Sequence, residues 1–320
     1  MKSHGLRNFL FISLFLVFSP YAYSSAEMPL GLRNESELDI FSFYTTLSHT
    51  EGKGIGYKQG YTTLEFFLMP SFWESNGLYP FIDLRAHGLD NQRIAANAGI
   101  GLRCWLTDDW LTGINVYYDY RQGQHHGYDK LGYGFQQVGF GLEALGPYVD
   151  VRFNLYQPVG KKVSNFTQIY LDQTGIIPTI IGKSQWALRS FDAEIGGTIA
   201  CGRINCCDWE WGSYLAAGPY YLHQECSSGD WGGKGRLELY LGRYLFIKGA
   251  AGYDNHTRGT AQICVGIEIP LYPFTSSKPA EAYYAPDEVD QYAKWHKWVS
   301  QPTERVEIMP LRSRHIPESK

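Results

Sequence analysis

Past residue 26 this chain has no apolar run approaching the ~18 residues of a membrane-spanning helix. Charged residues are only 19% of the sequence and form no basic stripe, which excludes a nucleic-acid partner from the reading. No Gly-x-Ser-x-Gly nucleophile motif occurs. Cysteine is sparse, at six residues, and three of these (Cys201, Cys206 and Cys207) crowd one turn. No second ligand pair at matching spacing and no nearby histidine accompany them, so a disulfide suits them better than zinc. Their connectivity stays open. Neither a metal nor a cofactor is expected. The one long apolar stretch is at the start, Phe9 to Phe18, preceded by Lys2 and Arg7 and followed by Ser24-Ser25-Ala26. That layout is a secretory signal peptide over residues 1–26, too short and wrongly flanked for a membrane span. Its removal takes two cations and no acid, moving the formal net charge from −4 to −6.

What the chain does have is Gly (35), Tyr (24) and Trp (9), arranged in a repeating unit of about ten residues of alternating polarity followed by a turn. Ala261, Ile263, Val265, Ile267, Ile269 and Leu271 make one stripe, with Gln262, Gly266 and Glu268 between them. Ile114, Val116, Tyr118 and Tyr120 alternate with Asn115, Tyr117, Asp119 and Arg121. A period of two puts each set on its own face of a strand. A mean hydropathy of −0.28 would suit a soluble protein. A transmembrane barrel, however, needs apolar residues only at alternate positions.

Alternation and turn signals predict strands at 38–48, 59–69, 79–88, 93–105, 110–121, 133–145, 148–158, 185–200, 211–223, 233–243, 245–255 and 259–271. The first has the poorest pattern, because Phe41 and Phe43 oppose Ile40 and Tyr44. Twelve is an even number, as bacterial single-chain barrels require. The expected architecture is all-β: a transmembrane antiparallel up-and-down barrel of twelve strands over 38–272. A short periplasmic lead (27–37) precedes it and a C-terminal tail (273–320) follows. Segments 122–132, 159–184 and 224–232 fall on the outer side as longer loops, and 146–147 and 244 are tight inner turns. Aromatics such as Trp105, Trp110, Tyr148 and Tyr244 gather near the inner ends, as in an interfacial girdle.

Charges fall on the lumen face: Asp83, Arg85, Arg103, Asp119, Arg121, Glu143, Asp150, Arg152, Arg236, Glu238, Lys248 and Glu268. Asp-x-Arg recurs as Asp83/Arg85, Asp119/Arg121 and Asp150/Arg152, each pair projecting inward. Two roles fit, structural charge pairs filling a narrow lumen or a pore-lining selectivity ring. Asp119, His125, His126 and Asp129 cluster near one outer loop, but adjacent histidines do not easily face one ligand. No catalytic site is therefore assigned.

These residues have a familiar look. Gly113-Ile114-Asn115-Val116-Tyr117-Tyr118-Asp119-Tyr120 resembles a strand of the inverse autotransporter β-domain, the barrel of intimin/invasin adhesins. Val138 to Glu143 and Asp150 to Gly160 resemble its next hairpin, and Gly60 to Leu64 and Ala95 to Gly101 its earlier strands. The resemblance implies an outer-membrane anchor inserted by the barrel assembly machinery, with lipid around it and a linker threading the pore toward an adhesive passenger. Only 49 residues follow Leu271 here, without immunoglobulin-like strands, so no large passenger is expected. Asp287 to Val299 reads as a short helix, with Val289, Tyr292, Trp295 and Trp298 along one side. That helix would sit either in the pore or in the periplasm. The function expected is a non-enzymatic anchor or translocator, with a host or surface ligand at the outer loops. A porin-like channel is the alternative, and an outer-membrane hydrolase a lesser one.

Overall fold

The computed structural model describes residues 42–69, 78–107, 110–123, 134–146, 148–171, 178–204, 209–224, 228–242, 244–255, 257–272 and 302–315. Fifteen strands lie among them: β1 (Ser42–Lys53), β2 (Tyr61–Met69), β3 (Leu78–Leu89), β4 (Arg93–Thr107), β5 (Trp110–Gln122), β6 (Gly134–Leu145), β7 (Asp150–Val159), β8 (Val163–Leu171), β9 (Pro178–Ala187), β10 (Arg189–Ile204), β11 (Trp209–His223), β12 (Asp230–Leu241), β13 (Leu245–Asp254), β14 (Arg258–Tyr272) and β15 (Leu311–His315).

Twelve of these strands close a barrel in the order β1-β14-β13-β12-β11-β10-β7-β6-β5-β4-β3-β2, every pairing antiparallel. Each matches one of the twelve expected strands. The poorly patterned first strand is a full member that closes the cylinder, pairing with β2 on one side and β14 on the other. It runs on to Lys53, beyond the expected end at Ser48, with Thr50 continuing the lumen face of Thr46 and Ser48. Alternation survives in three dimensions. Along β3, Asp83 and Arg85 are buried while Ile82 and Leu84 between them face outward. Ile100 is 65% exposed to what surrounds the barrel, and Ile114, Val116, Phe140, Val151 and Val265 share that face. An apolar band outside and a polar interior is the arrangement a bilayer demands.

The segment expected to be a long outer loop departs from the reading. Residues 163–187 form a hairpin of β8 and β9 beyond the barrel, and β15 adds to its β9 edge, giving a sheet ordered β15-β9-β8. The C-terminal tail thus contributes a strand. The expected helix at 287–299 lies outside the described residues, as do residues 1–37, His125, His126 and Asp129. Longer connections gather at the end that carries this hairpin, which assigns that end to the outside.

Candidate functional site: the barrel lumen

All six residues of the Asp-x-Arg motifs are buried in the lumen. Across the wall of β2 to β6 runs a transverse chain of hydrogen bonds. Thr63 Oγ1 lies 2.8 Å from His87 Nδ1, and His87 Nε2 lies 2.6 Å from Asn97 Oδ1. Asn97 Nδ2 donates to Asp119 Oδ1 at 2.8 Å, and Gln137 Nε2 donates to Asp119 Oδ2 at 3.1 Å. One residue comes from each strand, since the register sets Thr63 opposite His87, Asn97 opposite Asp119 and Asp119 opposite Gln137. Below it, Arg85 Nη2 is 2.7 Å from Asp83 Oδ2, and its Nε is 2.9 Å from Glu65 Oε1. Arg103 Nε meets Glu143 Oε1 at 2.6 Å. Buried charges persist only when they are paired, and each of these meets an opposite charge.

The three Asp-x-Arg motifs are not equivalent. Asp83 pairs with Arg85, and Asp150 with Arg152 at 3.4 Å, but Asp119 and Arg121 part company. Asp119 is engaged by Arg305 at 2.6 Å, whereas Arg121 donates to the Met309 carbonyl. Both partners belong to the tail. The sequence reading missed them because residues 302–310 carry no periodic pattern, only isolated charges.

Residues 303–309 pass through the lumen, turning successive side chains to different walls. Glu304 Oε1 accepts from Lys248 Nζ at 2.5 Å and lies 3.3 Å from Arg236 Nη1. Arg305 crosses to β5, its guanidinium 4.0 Å from the Tyr117 ring centroid and 5.3 Å from that of Tyr156. The room for it comes from Gly139, where a Cβ would stand 2.8 Å from Arg305 Nη2. Val306 N donates to the Tyr156 hydroxyl at 2.8 Å. Glu307 accepts from Arg85 Nη1 at 3.3 Å and from the Tyr61 hydroxyl at 3.1 Å. The Thr303, Glu304 and Glu307 carbonyls accept from Arg85, Asn154 and Asn97. Ile308 is then enclosed by Tyr61, Leu89 and Ala95, and Met309 by Phe135, Ala187 and Leu311. Trp295 and Trp298 of the expected helix lie outside the described residues, and the tail meets the lumen through Glu304, Arg305 and Glu307.

At the outer mouth the β1–β2 loop folds against the emerging tail. Gly56 O accepts from Leu311 N at 3.4 Å, and Leu188 N donates to Pro310 O at 3.2 Å. Burial pushes the Tyr57 hydroxyl up to about 12, so it is neutral and exchanges hydrogen bonds with the Gln262 amide. Cys201 is exposed with its thiol free, and Cys206 and Cys207 lie outside the described residues. Asp119, one of two carboxylates in the loop cluster with His125, His126 and Asp129, is committed to Arg305, Asn97 and Gln137.

Known proteins give this geometry a lineage. Residues 34–172 match the family model described as inverse autotransporter, beta-domain. A stretch of 65 residues is 37% identical to the uncharacterized protein YchO of Escherichia coli (strain K12), covering 20% of this chain and 12% of that protein. The match thus spans about an eighth of the curated relative's length. Among solved structures, a membrane protein described under "Unveiling the Mechanism Behind the in-meso Crystallization of Membrane Proteins" superposes with a TM-score of 0.53 at 15% identity. That superposition covers 85% of this chain and all of the other. The beta domain of the Bordetella autotransporter BrkA superposes with a TM-score of 0.40 at 13% identity, over 72% of this chain and all of its own. Residues 34–172 thus carry the match to an inverse autotransporter β-domain, and β1 to β7 within them close with β10 to β14 into one outer-membrane β-barrel.

Proposed function

We propose that this barrel is a non-enzymatic anchor and translocator that carries its own C-terminal segment to the outside. One observation supports this reading above the rest: residues 303–309 run along the lumen, ion-paired to three walls, and residues 311–315 join an external sheet as β15. A channel specialised for solutes has no use for a chain segment that satisfies its lumen charges. Insertion by the barrel assembly machinery and contact of the β8–β9 hairpin with a host or surface ligand complete the proposal. The hairpin suits contact because it stands clear of the barrel wall and leaves its β8 edge unpaired among the described strands.

The test is topological. A tag appended after Lys320 should be reached by antibody on intact cells, as should one inserted at 172–175, while one at Gly146-Pro147 should not. Labelling of the C-terminal tag only after the outer membrane is permeabilised would overturn translocation. The porin-like alternative draws on β13, where lumen-facing Ala250 stays exposed beside the tail. Single-channel conductance with and without residues 275–320 separates the two, because a channel would conduct equally in both forms.

A further inference from the structure

At the outer rim, on the outward face of the barrel, three side chains converge from two elements. His49 and Glu51 lie two residues apart on β1, and Asp90 opens the β3–β4 turn. A ligand atom from each lies within 4.8 Å of the other two, and all three residues are exposed. Tetrahedral donors about 2 Å from one ion stand about 3.3 Å apart, inside that limit.

Two further features point at the space between them. The first is the start of β2, which runs between the two elements with Gly60 just ahead of it. A Cβ at Gly60 would stand 2.5 Å from Asp90 Oδ2 and 2.8 Å from Glu51 Oε2, so both carboxylates reach into the volume a side chain would fill. The backbone holds the turn there, Asp90 N donating to Gly60 O at 3.0 Å. Among the described residues no Lys or Arg forms an ion pair with either carboxylate. The second feature is the aim of the imidazole. His49 Nδ1 is 3.0 Å from Thr62 Oγ1, and Nε2 is 3.5 Å from Glu51 Oε2. With Nδ1–H donating to the threonine, the Nε2 lone pair faces the carboxylates. In that tautomer three acceptors face one void and a cation among them relieves their repulsion, and a fixed distal nitrogen is how metal-binding histidines are oriented.

We propose that His49, Glu51 and Asp90 form a divalent-metal site at the outer rim. One imidazole and two carboxylates suit zinc, with water completing the tetrahedron, better than they suit calcium or magnesium, which favour all-oxygen shells. The ion would clip the outer end of β1 to the β3–β4 turn across β2.

Calorimetric titration of Zn2+ into the detergent-folded full chain tests this, with Mg2+ and Ca2+ for comparison. Expected is one saturable zinc event per chain that is lost in His49→Ala/Glu51→Gln/Asp90→Asn and weakened about tenfold in Thr62→Val. Gly60→Ala keeps all three ligands but fills the void, and should also lose the event. Heat-modifiability on gels checks that each variant is folded. The cysteines and the remaining histidines are common to every variant. A zinc event that persists in the triple variant and in Gly60→Ala therefore belongs to them and overturns the proposal. So does the absence of any one-equivalent event in the parent chain.

Discussion

The two walls of the lumen are built differently. From β2 to β7 the inward positions include large, fully buried side chains: Phe67, Phe81, Arg103, Tyr117, Gln137 and Tyr156. From β12 to β14 they include Gly232, Ala250, Gly252 and Gln262, and the cations there keep some solvent contact. Lys248 and Arg236 are 24% and 12% exposed at the side chain, against 2% for Arg305 and Asp119. The tail is seated against the first wall and tethered to the second. A dry wall specifies where the chain lies, because misplacing a buried charge is costly. A wetter wall tolerates it.

Breaking one contact on each wall sharpens the contrast most. Asp119→Ala leaves Arg305 buried without its carboxylate and should weaken the seating of the tail by about 3–5 kcal/mol. Glu304→Gln removes a charge that Lys248 and Arg236 can replace with water, and should cost about 1 kcal/mol or less. Hydrogen exchange across residues 303–309 reads both, and equal exposure of the segment in the two variants would refute the distinction.

The outside of the barrel gives the next largest effect. Val265 faces lipid on β14 and Gln262 on the same strand faces the lumen of the wetter wall. Val265→Arg should lower stability by about 2–4 kcal/mol in a urea titration of the folded barrel, and Gln262→Arg by much less. Equal losses would reverse the faces of β14.

The smallest effects concern access. Truncation after Phe274 should raise conductance while heat-modifiability is kept. In the full chain a cysteine at Ala250 should react with a water-soluble thiol reagent at least tenfold faster than one at Asn115, which is buried on the first wall. Similar rates would mean that water reaches both walls alike.

How much of this could be read from the chain follows from the same physics. Barrel strands such as β5 and β14 are forced by lipid on one side and polar lumen on the other, so their period of two is written at every position. The twelve strands and their lumen charges were legible for that reason. β8, β9 and β15 face no bilayer, and no such demand shapes them. Val163 to Leu171 alternates only weakly, and the five residues of β15 become a strand because β9 offers an edge. The reassignment of Asp119 to Arg305 was equally hidden. Residues two apart on one strand share a face, but a residue nearly two hundred positions away competes for the same carboxylate, and no local spacing records that.

The external sheet also determines how the molecule bears force. β15 leaves the barrel mouth at Leu311, opposite Ala187, and ends at His315, opposite Lys183. β9 is rooted in the barrel at its Ala187 end, through Leu188 and β10. A pull outward on the end of β15 and the resisting root of β9 therefore act at opposite ends of the paired segment. The strands are loaded in shear, with their hydrogen bonds sharing the tension together, and cannot be peeled apart one bond at a time. A pull on the His315 end of β15 meets this brace before any strain reaches the ion pairs within.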